Sequence, residues 1–168
     1  NKDIFRNIYL NNTWGDKYSY SGTGSNLIQT KTLRKEIPNI IEKYKIKSIL
    51  DIPCGDFYWM KELDFKDINY IGADIVPDLI QKNTKEFTEN NINFKILDLT
   101  SDSLPYSDLI FCRDCLVHLS FEDIFKALEN IKQTKSKYLM TTNFLFRDNN
   151  YNIPTGYWRT INLCKPPF

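Results

Sequence analysis

Short apolar runs alternate with amphipathic segments along the middle of the chain. Continuous apolar runs that end at polar or turn-forming residues are typical of strands buried on both faces of a sheet. Five such runs predict strands at Ser48–Ile52, Tyr70–Ile75, Asn93–Leu97, Asp108–Cys112 and Lys137–Thr142.

Amphipathic stretches with apolar residues at three-to-four spacing predict helices before and between these strands. The predicted helices cover about residues 27–44, 57–63, 77–90 and 120–134. Pro38 is expected to kink or divide the first helix, and Pro77 suits the first turn of the third. Ser120 suits an N-cap, with Asp123 three residues on as an approximate capping box.

Strands that alternate with helices predict an α/β fold, doubly wound around a mostly parallel sheet with helices on both faces. No repeat or interdomain linker interrupts the pattern, and 168 residues suit a single domain. Ligands of such sheets bind beyond the carboxyl ends of the strands, so the strand ends are where we look for chemistry.

Composition excludes several classes of protein. A hydrophobic content of 42% with a net charge of +1 argues against disorder and against a dominant nucleic-acid partner, which usually needs a basic excess. No apolar run approaches the ~20 residues of a membrane span. The four cysteines do not form a secreted disulfide pattern, so we expect a cytoplasmic protein.

Cys112 and Cys115 have CxxC spacing, which leaves three interpretations. A redox pair would need a helix start after a strand and a lowered thiol pKa. A zinc site would need further ligands, and the chain has one histidine and no second CxxC, although Cys54 could lie near Cys112. Small buried thiols beside a ligand pocket are the preferred interpretation, so no metal is predicted.

Three successive predicted strands end in aspartate, at Asp51, Asp74 and Asp98. One such residue is ordinary, since aspartate often caps turns. Three together, with Gly55 at the first turn, indicate a nucleoside site. Asp74 follows Asp51 by about the 20 residues at which a ribose hydroxyl is held, and Asp98 suits an exocyclic amine, with Leu99 offering an apolar face.

The first turn argues against a pyrophosphate ligand. Gly55 stands alone rather than in GxGxxG, no GxxxxGK[ST] loop occurs, and Asp51 and Asp56 flank the turn with negative charge. NAD and ATP are therefore less suitable than a nucleoside with positive charge.

The segment Ser48–Asp56, with sequence SILDIPCGD, resembles the first motif of class I S-adenosylmethionine-dependent methyltransferases. Tyr70–Ile75 resembles their second motif, Phe94–Leu99 their third, and Cys112–Leu119 their segment after the fourth strand. The similarity covers about Ile46 to Phe144. In place of the common second glycine of the first motif, this chain has Phe57.

The resemblance implies a Rossmann-like fold, S-adenosylmethionine as cofactor, and a set of cofactor-binding residues. Gly55 and its neighbours would pass under the methionine part, Asp74 would take the ribose hydroxyls and Asp98 the adenine amine, while Cys112 and Arg113 would line the adenosine. The cofactor-binding candidates are Asp51, Pro53, Cys54, Gly55, Asp56, Asp74, Ile75, Asp98, Leu99, Cys112 and Arg113.

Methyl transfer to oxygen needs a base to remove the hydroxyl proton. His118 is the only histidine and follows the fourth strand, so it is the first candidate; packing with a backbone hydrogen bond is its alternative role. Asp114 is the second candidate, with a salt bridge to Arg113 or Arg147 as its alternative.

Both ends of the chain are expected to face the acceptor. Residues 1–25 and 145–168 would form acceptor-side segments around a cofactor-binding core of residues 26–144. The candidate substrate-binding residues are Tyr20, Ser21, Thr23, Ser25, Asn143, Arg147, Trp158 and Arg159. The alternative roles are an ordinary loop, surface charge or core. Few residues follow the fifth strand, so we expect the usual final hairpin to be missing, the chain to be truncated, and a monomer or homodimer.

The sequence therefore predicts a methyltransferase that uses S-adenosylmethionine to methylate an oxygen of a small molecule or a sugar- or phosphate-bearing acceptor. Similar Trp-Gly…Ser-Gly-x-Gly-Ser and Cys-Arg-Asp…His-Leu segments occur in bacterial enzymes of surface-glycan or small-metabolite modification, which suggests bacterial polysaccharide or metabolite biosynthesis. Two alternatives stay open: a relative that binds cofactor without turnover, and another nucleotide-dependent enzyme such as a short dehydrogenase.

Overall fold

Five parallel strands form the central sheet of the computed structural model, which describes residues 1–168. The strands are β1 (Ser48–Asp51), β2 (Asn69–Asp74), β3 (Ile92–Ile96), β4 (Leu109–Cys112) and β5 (Tyr138–Thr141). Their spatial order is β3-β2-β1-β4-β5, and every adjacent pair is parallel. The prediction of a parallel α/β sheet is confirmed. Because the chain moves outward from β1 to β3 and then returns to β4, the strand order reverses between β1 and β4, where ligands of such sheets bind.

Four helices accompany the sheet: α1 (Lys2–Leu10), α2 (Lys31–Tyr44), α3 (Pro77–Phe87) and α4 (Phe121–Gln133). Pro38 lies inside a continuous α2 and does not divide it. Ser120 caps α4 as predicted, since its Oγ accepts a hydrogen bond from the Asp123 N–H at 3.2 Å. None of these helices combines the length and the apolar character that crossing a bilayer requires.

The two faces of the sheet carry separate apolar clusters, as the twofold alternation of strand side chains requires. Ile49 of β1 packs with Ile37 of α2 on one face. Its neighbour Leu50 packs on the other face with Ile124 and Ala127 of α4. Both faces of the central strands are therefore buried, which accounts for their continuous apolar sequence.

Residues 57–63 do not form the predicted helix. Phe57 takes a left-handed conformation with φ +57°, and only Met60–Glu62 makes a single 3-10 turn. The Phe57 ring instead packs against Tyr70 and Phe94, with centroid distances of 5.3 and 5.2 Å. Burial of this ring, which a local helical pattern does not report, decides the path of the turn.

The two ends of the chain differ in regularity. Helix α1 was not predicted, although Ile4, Phe5, Ile8 and Tyr9 give it apolar residues at helical spacing; none of its residues is buried. Residues 142–168 contain no helix or strand. This final segment packs on the α4 side of the sheet: Ile161 is fully buried in that cluster, and the Phe168 ring contacts Phe121 at 5.3 Å.

Candidate functional site

A cavity lies at the carboxyl ends of β1, β2, β3 and β4. Its volume is about 1130 Å³, counting the part that is open to solvent. Asp51, Asp74 and Asp98 all line it. They converge there because parallel strands end on the same side of a sheet, and β1, β2 and β3 are neighbours in space.

Asp51 is the last residue of β1 and is 3% exposed. Its carboxyl accepts a hydrogen bond from the Tyr70 hydroxyl at 2.5 Å. Burial raises the pKa of Asp51 to about 8, against the opposing effect of the Tyr70 hydrogen bond. The Asp51 carboxyl therefore carries a proton at neutral pH as long as no cationic ligand lies in the cavity.

Asp74, at the end of β2, holds the first turn in place. Its two carboxylate oxygens accept hydrogen bonds from the Gly55 N–H at 3.1 Å and the Val76 N–H at 3.0 Å. Burial raises the pKa of this carboxyl to about 6, and the two backbone donors oppose that rise. A carboxylate has about four lone-pair sites, so Asp74 can accept two further hydrogen bonds from hydroxyl groups in the cavity.

Gly55 allows the N-terminal segment to reach the turn after β1. The residue has φ +55°, and a Cβ there would lie 2.1 Å from the Ser21 hydroxyl oxygen. From α3, Asn83 supports the turn by donating to the Gly55 carbonyl at 2.8 Å. Only glycine satisfies both the left-handed conformation and this close approach.

Asp56 anchors residues 19–21, a role that the sequence did not indicate. Its carboxylate accepts hydrogen bonds from the Ser19 hydroxyl at 3.0 Å, the Tyr20 N–H at 2.8 Å and the Ser21 hydroxyl at 3.2 Å. The Asp56 N–H in turn donates to the Ser21 hydroxyl oxygen at 3.0 Å. With these contacts the carboxylate is engaged by protein groups, and it joins the turn after β1 to residues 19–21.

Asp98 lies two residues beyond β3 and keeps one carboxylate oxygen free of protein partners. Its other oxygen accepts from the Thr100 N–H at 2.8 Å and the Thr100 hydroxyl at 2.6 Å. Leu99, 6% exposed, adds an apolar wall beside it. An acceptor oxygen beside an apolar surface is the arrangement that suits the amine edge of a purine.

Arg113 and Asp114 form a pair at the end of β4. The Arg113 guanidinium lies 3.0 Å from the Asp114 carboxylate, donates to the Gly24 carbonyl at 2.9 Å, and stands over the Trp59 ring at 5.8 Å. Asp114 also accepts a hydrogen bond from the Thr142 hydroxyl at 2.9 Å. Since Asp114 is already paired with Arg113, it is the weaker of the two candidate bases.

His118 lines the same cavity with its ring held on two sides. Its Nδ1 lies 2.9 Å from the Tyr157 carbonyl, and its ring stacks on Trp14 with centroids 4.7 Å apart. A carbonyl only accepts, so Nδ1 carries the proton of the neutral ring and Nε2 is left unprotonated. Burial lowers the His118 pKa, which favours this neutral form at pH 7.

The cavity brings together most of the predicted site residues but not all of them. Besides those described above, Pro53, Cys54, Ile75, Tyr20, Ser21 and Ser25 line it. Cys112 does not, because its side chain points into the core on the α4 side. Thr23, Asn143, Arg147, Trp158 and Arg159 do not line it either.

The candidate substrate residues outside the cavity have other surroundings. Thr23 is exposed and Trp158 is 60% exposed, while the Asn143 side chain accepts from the Leu163 N–H at 2.9 Å. The Arg147 guanidinium donates to the Thr160 hydroxyl, and Arg159 is fully buried. These five side chains do not line the cavity, so the geometry does not support their predicted contact with an acceptor. Sequence position alone does not report which way a loop side chain points.

Several aromatic residues of the cavity wall escaped the sequence analysis. Phe5 and Tyr9 of α1 line it, together with Trp59 and Phe111. No motif marks them: the α1 pair belongs to a helix that the sequence did not predict, and the other two are apolar residues that suit a core equally well.

The cysteines of the site are free thiols. Cys115 lines the cavity, whereas its neighbour Cys112 is buried in the core. The hydrogen bond between the two thiols, together with burial, raises the pKa of the Cys115 thiol well above the ordinary value. A raised pKa is the opposite of what a reactive redox cysteine needs. No group of three histidine, cysteine or acidic side chains is arranged to hold a metal ion.

Comparison with known proteins identifies relatives of this architecture. A family model described as a methyltransferase domain matches residues 49–136, from β1 to the segment after α4. No curated protein sequence matches the chain.

Solved structures, two of them described as methyltransferases, share the fold at low sequence identity. The N-methyltransferase NodS from Bradyrhizobium japonicum WM9, crystallised with S-adenosylhomocysteine, superposes with a TM-score of 0.59 at 15% identity, covering 76% of this chain and 67% of NodS. The methyltransferase domain of bacterial CtHen1-C gives 0.58 at 14% identity, covering 69% of this chain and 65% of that domain. The PH0226 protein from Pyrococcus horikoshii OT3 gives 0.57 at 18% identity and 75% coverage of this chain, which spans 62% of that protein.

Proposed function

The chain belongs to the methyltransferase domain family, and we propose that it transfers the methyl group of S-adenosylmethionine to an oxygen of a small-molecule or sugar-like acceptor. Because the chain belongs to this family, the alternative of a short dehydrogenase is dropped. His118 supports the choice of oxygen: it is a cavity-lining imidazole whose Nδ1 proton is fixed on the Tyr157 carbonyl, leaving Nε2 as a base.

The residues at the strand ends suit this cofactor. Asp74 has lone pairs for the ribose hydroxyls, Asp98 has a free carboxylate oxygen for the adenine amine, and Leu99 offers a face to the purine. Acidic residues predominate on the wall, which favours a ligand with positive charge. The cofactor supplies an activated methyl group on its sulfonium, so the leaving group needs no protonation.

The protein's own contribution is orientation and proton removal. Holding two reactants in line converts an encounter into a step within one complex, an effect that reaches roughly 7–11 kcal/mol in well-oriented systems. His118 Nε2 accepts the hydroxyl proton as the oxygen takes the methyl group. The neutral imidazole that the buried site favours is the form that can do this.

The wall chemistry favours an uncharged acceptor over a phosphate-bearing one. Phe5, Tyr9, Trp14 and Tyr20 supply aromatic surface from the N-terminal segment. Arg113 is the one guanidinium that lines the cavity, and it is already paired with Asp114. Since Arg147 and Arg159 do not reach the cavity, a phosphate group would meet no free arginine there. We extend the proposal to a hydroxylated ring compound modified in the bacterial cytoplasm during glycan or metabolite biosynthesis, by a monomer or homodimer.

An acceptor screen tests the proposal. The protein is incubated with S-adenosylmethionine and a panel of uncharged glycosides, phenols, sugar phosphates and amines, and S-adenosylhomocysteine release is measured for the wild type and His118→Gln. We expect turnover with an uncharged hydroxyl compound, a new O-methyl group by NMR, and loss of that turnover in the variant. N-methylated products, or equal rates for both proteins, would contradict the assignment. Cofactor binding without any turnover across the panel would favour the alternative of a relative that only binds.

A further inference from the structure

Arg159 is a buried charge for which the proposed reaction has no direct use. The residue is 0% exposed, and no carboxylate lies within salt-bridge distance of its guanidinium. A buried cation without an anion is costly unless hydrogen bonds compensate it. The hydrogen-bond partners of the Arg159 guanidinium must therefore offset the cost of its burial.

Those partners are backbone carbonyls of the segment that carries His118. Arg159 Nη1 donates to the Leu116 and Val117 carbonyls, both at 3.0 Å, and Nη2 donates to the Leu119 carbonyl at 2.8 Å. Leu116–His118 is a single 3-10 turn, so its last carbonyls have no partner within the turn. The planar guanidinium fork reaches three of the carbonyls around His118 from two nitrogens held in one plane, whereas the donors of an ammonium group share a single nitrogen.

The residues just before Arg159 hold His118 itself. The Gly156 N–H donates to the His118 carbonyl at 2.8 Å, and the Tyr157 carbonyl lies 2.9 Å from His118 Nδ1. The Arg159 N–H donates to the Val117 carbonyl at 3.0 Å, and Nε reaches back to the Tyr151 carbonyl at 3.2 Å. Arg159 therefore holds the His118 turn against the irregular segment 151–159, whose Tyr157 carbonyl sets the His118 tautomer.

We propose that Arg159 is a positioning residue for the base: it keeps the Tyr157 carbonyl against His118 Nδ1, so that Nε2 stays unprotonated towards the cavity. The catalytic part of this proposal rests on the proposed function of His118. The structural part, control of the tautomer, stands independently of it.

The groups around His118 act on its pKa in opposite directions. Burial and Arg159 act to lower the His118 pKa, whereas the Tyr157 carbonyl and Asp114 act to raise it; Trp14 is uncharged. Loss of Arg159 removes a positive charge, which raises the pKa, and releases the Tyr157 carbonyl, which lowers it. The tautomer is therefore the decisive readout.

The single histidine of the chain makes the experiment direct. Imidazole ¹⁵N chemical shifts of the full chain report the tautomer and the pKa of His118 without any acceptor. The wild type should show protonated Nδ1, unprotonated Nε2 and a pKa below the ordinary value. Arg159→Met should populate both tautomers, and the tautomer ratio of Arg159→Lys should fall between those of the wild type and Arg159→Met.

Arg147→Met is the matched control. Arg147 lies in the same C-terminal segment but donates to the Thr160 hydroxyl rather than to the His118 turn, so its loss should leave both readouts unchanged. If Arg159→Met does not fold, the Lys variant, which keeps the charge, provides the measurement. A folded Arg159 variant with the wild-type tautomer would overturn the proposal.

Turnover separates this proposal from the proposed function. If both hold, Arg159→Lys lowers kcat with little change in KM, and its pH–rate profile follows the shifted His118 pKa. If the tautomer shifts but His118→Gln retains turnover, the function assigned to His118 fails while the positioning by Arg159 stands. If Arg159→Lys keeps the wild-type tautomer while His118→Gln loses turnover, the positioning by Arg159 fails and the function assigned to His118 stands.

Discussion

At the residue scale, burial rather than ion pairing sets the protonation of the cavity groups. It raises the pKa of Asp51 to about 8 and of Asp74 to about 6, and it lowers that of His118. A protonated Asp51 carboxyl and an uncharged His118 imidazole therefore coexist at pH 7 when no cofactor is bound. Entry of a sulfonium would favour ionised carboxylates, so we expect cofactor binding to release protons.

His118→Gln tests the chemistry of this residue. Glutamine can still donate to the Tyr157 carbonyl but cannot accept a hydroxyl proton. We predict a loss of kcat of about 10²–10⁴-fold, the usual contribution of a positioned base. S-adenosylhomocysteine affinity, measured by calorimetry, should stay within a few-fold; a matching fall in affinity would show that the residue shapes the cofactor site instead.

Asp51→Asn tests the burial of the carboxyl at the end of β1. In the wild type the folded chain holds a proton that the unfolded chain loses above its ordinary pKa, so the free energy of unfolding falls as pH rises from about 4 to about 8. Asparagine does not titrate and can still accept the Tyr70 hydrogen bond. Urea unfolding of the variant should show no decline between pH 6 and 8, whereas each unit of separation between the folded and unfolded pKa is worth about 1.4 kcal/mol in the wild type. Asp74 adds a decline that ends near pH 6 in both proteins; identical slopes above pH 6 would disprove the raised pKa of Asp51.

At the element scale, the turn after β1 connects the cofactor side to the N-terminal segment. Gly55 gives Ser21 room, and Asp56 accepts three hydrogen bonds from residues 19–21. The sequence predicted the turn and its glycine, because a strand end followed by an isolated glycine is a local pattern. It did not predict the partner, since a contact between residues 35 or more positions apart leaves no periodicity in the chain.

Gly55→Ala tests the close approach at this turn. The new Cβ would stand 2.1 Å from the Ser21 oxygen, and alanine at positive φ costs roughly 1–2 kcal/mol in addition. We predict a large loss of S-adenosylhomocysteine affinity in the calorimeter. Adding Ser21→Gly removes the clash but not the strain, so the double variant should recover part of the affinity; no recovery would mean that the clash is not the cause.

Asp56→Ala tests the anchoring of residues 19–21. Loss of the carboxylate leaves the buried Ser19 hydroxyl without its acceptor, at a typical cost of about 1–3 kcal/mol for a buried group, and releases the exposed Tyr20 N–H to water. Hydrogen exchange of residues 1–25 should accelerate, while β1, β2 and β4 keep the protection of the wild type. Asp16→Ala, which removes hydrogen bonds only within the segment, is the control. Uniform acceleration across the sheet in Asp56→Ala would contradict a local role.

At the scale of the whole molecule, the fold places the ends of four strands around one cavity, and the N-terminal segment and residues 151–159 approach it from outside the sheet. Parallel pairing and the three aspartates at the strand ends could be predicted, because buried parallel strands leave continuous apolar runs in the sequence. The aromatic wall and the Arg159 network could not, since they depend on which surface of an irregular segment the sheet accepts.

The central claim is that Asp51, Asp74 and Asp98 surround one adenosine-bearing cofactor. Titration calorimetry of the full chain with S-adenosylhomocysteine, run in parallel on Asp74→Asn, tests it most directly. We predict saturable one-site binding to the wild type and a loss of at least tenfold in Asp74→Asn, because the amide nitrogen can no longer accept from a ribose hydroxyl. No binding to a folded wild-type protein, or equal affinity in the variant, would contradict the account.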